Sequence, residues 1–268
     1  MRNFSLLIVF FFIFNSFLKA DILMGVVPQQ GPLKLFKIWQ PVANYLSEEI
    51  GIKVRFRTEK SINKFAQTLY EGTYDFVYMN PLQFVLLNQK FKYDALTRSD
   101  KLIHGVIIMK KGSTIKGINK ENVRILFSSP AAFAATILIK YDLLEKYGFT
   151  SKQIQSARYV NSHDSVYKGL YRNLGDLGGG IVRTFNYTDN LPLHKKLFVA
   201  HKTKGYPTHP FAIKAKFSSS IKKKLTKALL NMPKTLLSRL HMKKLKKVSP
   251  DEYKSVKKLA KKLHIKAD

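Results

Sequence analysis

The sequence predicts an α/β protein whose sheets are open and flanked by helices, laid down in two successive stretches. Two observations carry this. Between residues 22 and 91, short β-branched and aromatic runs alternate with segments whose apolar residues recur at helical spacing. From about residue 104 to 185 a second alternation of the same kind follows. Such alternation favours a sheet with helices on both faces. A third observation concerns the core. Of the 268 residues 45% are apolar, ordinary for a folded chain despite its charge.

The elements follow in order. Residues 22–27 read as a buried strand, and Pro28-Gln29-Gln30-Gly31-Pro32 as a turn. Leu35, Ile38, Trp39, Val42 and Leu46 repeat at helical spacing up to Ile50, and Gly51 sits where a helix ends. Residues 53–57 alternate as a strand, and Ser61 is the candidate N-cap of an amphipathic helix over 61–70. Residues 74–78 form a short strand; Asn80-Pro81 opens a helix through about 91, with Pro at an early helical position. Residues 93–97 and 103–109 are two more strands, the second placed to carry the chain into another lobe. A strand over 124–127 runs through Ser128-Ser129-Pro130 into a helix over about 131–147, closed by Gly148. A short strand at 158–160 precedes Ser162-His163-Asp164 and a helix to about 173. Gly178-Gly179-Gly180 leads to Ile181-Val182 and Arg183, and a strand at 197–200 is placed to return the chain to the first lobe. Residues 212–268 are expected to form a Lys-rich, mostly helical tail, punctuated by Pro233 and Pro250. Ligands of open α/β sheets lie beyond the carboxyl ends of the strands. The loops after the first and third strands are therefore where a site is sought.

Composition narrows the chemistry. There is no Cys, which excludes disulfides, thiolate metal sites and a thiol nucleophile. Lys and Arg number 47 against 17 Asp and Glu, a net charge of +30. That balance suits an anionic partner, but only 9 of the 47 are Arg, the residue nucleic-acid recognition prefers for bidentate contacts. A Lys-biased solvated surface is the competing explanation. Residues 214–268 hold 18 basic and 3 acidic residues, so much of the excess is remote in sequence from the predicted site. It is placed to steer anions or to touch anionic lipid.

The N-terminus carries an address. Arg2 precedes an unbroken apolar run at 6–14, then Asn15-Ser16 and a cut site after Ala20. This is a secretory signal pattern, expected over residues 1–20, and the run is too short to span a bilayer. Leu18, large for its place before the cut, leaves an uncleaved anchor as the alternative. Export argues against a nucleic-acid partner.

Several junctions offer polar groups. Phe127-Ser128-Ser129-Pro130-Ala131-Ala132 places hydroxyls and backbone N–H groups at a helix start, a setting that favours an anion; simple capping by Ser129 with Pro130 next is the structural alternative. Ser162-His163-Asp164-Ser165 has nucleophile, base and acid in adjacent positions, but neighbours at a helix start diverge, whereas a triad converges. His163 as a donor to an oxyanion is the better functional reading, with Asp164 as a cap. Tyr78 and Asn80 end a strand at the expected crevice and can both donate. Arg183 and Thr184 follow a strand, and Arg suits a carboxylate, phosphate or phosphonate; a surface salt bridge is its alternative. The seven His lack a paired metal-ligand spacing. No catalytic residue, metal or cofactor is expected.

Taken together, Val27-Pro28-Gln29-Gln30, Trp39-Gln40-Pro41, residues 74–81, residues 129–135, residues 162–167 and residues 179–185 resemble the phosphate, phosphite and phosphonate class of ABC-transporter substrate-binding proteins, of the type II periplasmic binding fold. The resemblance runs from about 22 to 211. It implies two α/β lobes, each an open mixed sheet flanked by helices, joined by two hinge crossings near 101–105 and 200–208. Residues 21–103 plus 204–268 would form the first lobe with its basic helical C-terminal tail, and residues 104–203 the second. It further implies capture of a small anionic ligand by Gln30, Tyr78, Asn80, Ser128, Ser129, His163, Arg183 and Thr184 on lobe closure, by a monomer that delivers it to an ABC permease from the periplasm. A sensing subunit that signals through a membrane receptor kinase is the alternative. One departure stands out: the hydroxyl-rich turn of better-known phosphonate binders is Pro130-Ala131-Ala132 here, leaving backbone N–H groups for the anion.

Overall fold

In the computed structural model, which describes residues 21–186, 192–249, 251–263 and 265, the first alternation becomes β1 (Ile22–Val26), α1 (Pro32–Ile50), β2 (Val54–Arg57), α2 (Ile62–Tyr70), β3 (Phe76–Tyr78) and α3 (Pro81–Lys90). Capping is local and legible. Ser61 caps α2 by accepting from the Lys64 N–H at 3.1 Å. Asn80 caps α3 in a reciprocal box with Gln83. The expected signal segment 1–20 and Pro250 lie outside the described residues.

The chain continues through β4 (Tyr93–Ser99), β5 (Leu102–Ile103), β6 (Val106–Lys110) and β7 (Ile125–Phe127). The single strand expected over 103–109 is thus two, broken at His104-Gly105. The break falls where a helix backbone approaches closely: a Cβ on Gly105 would lie 2.2 Å from the carbonyl oxygen of Ala134. Next come a π-helical run (Phe133–Leu138) that continues as α4 (Ile139–Tyr147), then α5 (Ser151–Gln155), β8 (Arg158–Tyr159), α6 (His163–Tyr171), β9 (Leu177–Gly180), α7 (Val182–Asn186), α8 (Leu193–Lys196) and β10 (Leu197–Lys202). The last stretch gives β11 (Tyr206–Pro207), β12 (Pro210–Lys214), α9 (Ser219–Leu230), α10 (Lys234–Arg239), β13 (Leu245–Lys247) and α11 (Lys254–Lys262).

Two mixed sheets result. One is ordered β13-β4-β12-β3-β1-β2, the other β10-β6-β9-β7-β8, and the short pair β11-β5 lies where the chain passes between them. β1 pairs parallel with β2 and β3, whereas β12 runs antiparallel between β3 and β4. The two passages are clasped: Gly105 N–H donates to Thr203 Oγ1 at 3.0 Å, and the Thr203 N–H to the Gly105 carbonyl at 2.9 Å.

The expectation of a helical tail over 212–268 needs correction. β12 is an interior strand, and Phe211, Ala212 and Ile213 are fully buried in it. β13 adds an edge to the same sheet. α9 and α10 place Leu225, Leu229, Leu237 and Leu240 in one core with Trp39, Val42 and Leu46 of α1. Buried Arg98 of β4 is ion-paired with Glu252 ahead of α11. The Lys excess hid this. Lysines mark the outer face of an amphipathic helix, while the sparser leucines carry the burial.

Candidate functional site

Chain direction fixes what reaches the space between the sheets. The carboxyl ends of parallel β1 and β3 present Val27, Gln29 and Gln30, and Tyr78 and Asn80. Because β12 is antiparallel, its beginning lies at that same edge and adds His209. From the other sheet come Ser129 after β7, Arg183 and Thr184 on α7 after β9, and His163 at the start of α6.

Arg183 bridges the two halves. Its Nη1 donates to Tyr78 OH and to the Leu240 carbonyl, each at 3.4 Å, and its Nη2 to Gln29 Oε1. The Gln29 amide is thereby oriented, and its Nε2 donates to His209 Nε2 at 2.9 Å. His209 accepts there, so its proton sits on Nδ1 when the ring is neutral. The imidazole stacks on Tyr78 with centroids 5.2 Å apart; Tyr78 is backed by Trp39 and Phe211 at 4.8 and 4.9 Å. Among the described residues no carboxylate pairs with Arg183, so the surface salt bridge considered from sequence is not what holds it.

His163 is buried and its Nδ1 lies 3.2 Å from Thr184 Oγ1. Thr184 Oγ1 is in turn 2.7 Å from Tyr167 OH, which accepts from the Ile181 N–H at 3.2 Å. Thr184 Oγ1 also lies 3.2 Å from the Ile181 carbonyl, so its hydroxyl can donate there or to His163 Nδ1; in the second arrangement the imidazole proton sits on Nε2. Burial, and secondarily the charge of Arg183, lowers the His163 pKa to about 4. Burial, Arg183 and then His163 push His209 well below its ordinary value. Both rings are neutral at pH 7. The formal charge of this cluster is that of the guanidinium.

The helix after β7 starts later than expected. Its N-cap is Ala132, without a side-chain cap, and its first residues are π-helical, a form common at functional sites. Ser129 and Pro130 therefore do not begin it. Ser129 Oγ instead accepts from the Ala131 N–H at 3.1 Å and donates to Asn63 Oδ1 of α2 at 2.6 Å. Asn80 Nδ2 donates to the Ala131 carbonyl at 3.0 Å. Phe133, Ala134 and Ala135, whose N–H groups fall outside the helix's own ladder, line a cavity with Asn80, His163 and His209. At about 20 Å³ it has room for roughly one water molecule. The helix sits close because β9 is glycine: a Cβ on Gly179 would lie 1.7 Å from the Ala135 carbonyl oxygen.

Of the residues singled out from sequence, Tyr78, Asn80, Ser129, His163, Arg183 and Thr184 converge on this cleft. Gln30 lines its side toward Trp39, with Arg183 and Thr184. Ser128 does not line the cavity; its Oγ is buried without a hydrogen-bond partner. Asp164 is not the cap of α6. Ser162 is, accepting from the Ser165 N–H at 3.1 Å. Sequence reasoning passed over Gln29, Asn63, His209 and Leu240. Gln29 lay in the turn already quoted. His209 was findable only by recognising β12 as an antiparallel strand, and Leu240 gives no local signal.

This is the two-lobed fold of type II periplasmic binding proteins, with a polar cleft between the lobes. A family model described as "ABC transporter, phosphonate, periplasmic substrate-binding protein" matches residues 24–253, and the chain belongs to that family. The match takes in β12, α9 and α10, beyond the limit of 211 drawn from sequence motifs. Among solved structures, PhnD1 from Prochlorococcus marinus, in complex with methylphosphonate, has a TM-score of 0.81 at 20% identity, covering 91% of this chain and 98% of that one. The binding protein component of an ABC phosphonate transporter from Pseudomonas aeruginosa has a TM-score of 0.78 at 15% identity, covering 89% and 85%. A Xanthomonas citri protein bound to chloride has a TM-score of 0.72 at 14% identity, covering 91% and 97%. At these identities the likeness is one of fold. Among the described residues no helix is long and apolar enough to cross a membrane.

Proposed function

We propose that this protein captures a small oxyanion of the phosphonate, phosphite or phosphate class between its lobes and delivers it to an ABC permease, with no bond made or broken. Arg183 carries this reading: a part-buried guanidinium in the interlobe cleft, bonded to neutral groups and flanked by two histidines kept uncharged. An anion entering here gains a formal counter-charge, the N–H groups of residues 133–135 and, in the tautomer that carries its proton on Nε2, a His163 donor. Tyr78 and Asn80 supply the facing lobe, and Gln30, Ser129 and Thr184 complete the wall. Ser128 is proposed only to support the loop from behind.

Contacts to both lobes favour the closed state. The moving bodies are proposed as 21–103 with 204–268, and 104–203, turning about the β5–β11 pair. The closed form is the one a permease would recognise, with the protein acting as a monomer in the periplasm. A sensory role has the same binding chemistry, and no observation favours it.

The test is calorimetry against phosphate, phosphite and methylphosphonate. We expect one-to-one binding of at least one of them, and Arg183→Gln should weaken it by about 3 kcal/mol or more. No binding by any of the three, with an empty cleft in structures grown in their presence, would overturn the reading.

A further inference from the structure

Past Arg183 the cleft widens into a chamber of about 600 Å³ beside the two interlobe passages. Its lining includes Lys101, His104, Arg183, Lys202, His209 and His241, and among its described lining residues there is no Asp or Glu. Lys101, Arg183 and Lys202 thus line one volume, with no carboxylate among its described lining residues. Neither Lys101 nor Lys202 has a carboxylate partner among the described residues.

The cations are carried on fixed backbone. The Lys101 carbonyl accepts from Arg98 Nη1 at 3.0 Å, and Arg98 is itself buried against Glu252. Lys202 ends β10, in register with Val106. His104 between them donates Nδ1–H to the Thr203 carbonyl at 2.8 Å. A cationic volume continuous with an oxyanion anchor selects for charge at the far end of the ligand. An ammonium there would meet only like charge, and nothing in the described lining would neutralise it.

We propose that this chamber receives a second anionic group, so that the preferred ligand is a phosphonate or phosphate whose substituent ends in an acid, and aminoalkyl phosphonates are rejected. The inference rests on Arg183 as the oxyanion anchor.

Three probes of similar length separate the two ideas: propylphosphonate, 3-phosphonopropionate and 3-aminopropylphosphonate, titrated calorimetrically alongside methylphosphonate. The carboxylate should bind about fivefold or more tighter than the propyl compound, and the amine about fivefold weaker. The spread should shrink as salt rises, and in Lys101→Gln/Lys202→Gln the three affinities should converge. Binding of methylphosphonate with no charge preference, or with the amine preferred, overturns this proposal alone. A preference for the carboxylate that persists undiminished in the double variant also overturns it. Absence of binding by all four and by phosphate and phosphite removes the anchor reading, and this proposal with it; binding of phosphate or phosphite alone overturns this proposal and leaves the anchor.

Discussion

His163 shows how one residue's surroundings set its chemistry. Its ring is buried beside a guanidinium, and its pKa falls from 6.5 to about 4. Well above pH 6.5 both folded and unfolded states hold it neutral, so it contributes nothing to the pH dependence there. Below that the unfolded chain takes up a proton that the folded chain refuses, so stability falls as pH drops toward 4. The expected loss between pH 7 and 5 is about 2 kcal/mol from this ring, and His209, shifted the same way, adds to it. Urea midpoints without ligand at the two pH values check this. His163→Asn should flatten the response even if it lowers stability at both. Midpoints independent of pH would contradict a neutral buried pair.

At the level of elements, the contact between β9 and the helix after β7 decides where the N–H donors lie. Gly179 permits it; a methyl there would overlap the Ala135 carbonyl. Gly179→Ala should therefore cost about 3 kcal/mol of stability and also weaken anion binding, because relief of the clash moves residues 133–135 away from His163. A protein that keeps both stability and affinity would show that the close approach is not needed. These elements were unevenly legible. β1 to α3 lay within about three residues of expectation, because each segment's period and caps are local. The helix start at Ala132 did not, because Ser129 is drawn to Asn63 on another element, and no window around Ser129 contains Asn63. β12 was missed for a related reason: five residues ahead of a Lys-rich stretch carry little period, and their burial comes from β3 and β4 on either side.

For the whole molecule, the contacts of Arg183, Ser129 and Asn80 all run from one sheet's lobe to the other's. Each supplies a hydrogen bond worth about 1 kcal/mol net, more for the charged one. With Phe133 and Ile181 packed in one cluster with Leu82 and Val256, they describe a joined pair of lobes. Breaking the Ser129–Asn63 bond in Asn63→Ala, at a residue outside the proposed anion contacts, should shift the ligand-free protein toward an open form. Small-angle scattering should then show a larger radius of gyration that shrinks when saturating ligand is added. An unchanged radius in both states would mean that this bond does not hold the lobes together.

The sequence by itself determined the α/β alternation, the helix caps at Ser61 and Asn80, and the ordered motifs of the family, since these depend on backbone periods and neighbours within a few residues. Only the tertiary structure decided that the C-terminal quarter is core, that His209 and Leu240 stand beside Arg183, and that Arg183 has no carboxylate among its described partners. Those facts depend on strand order and direction. Burial of apolar faces on both sides of a sheet fixes that order, and it joins residues some 180 positions apart, as between Gln29 and His209, that no local pattern connects.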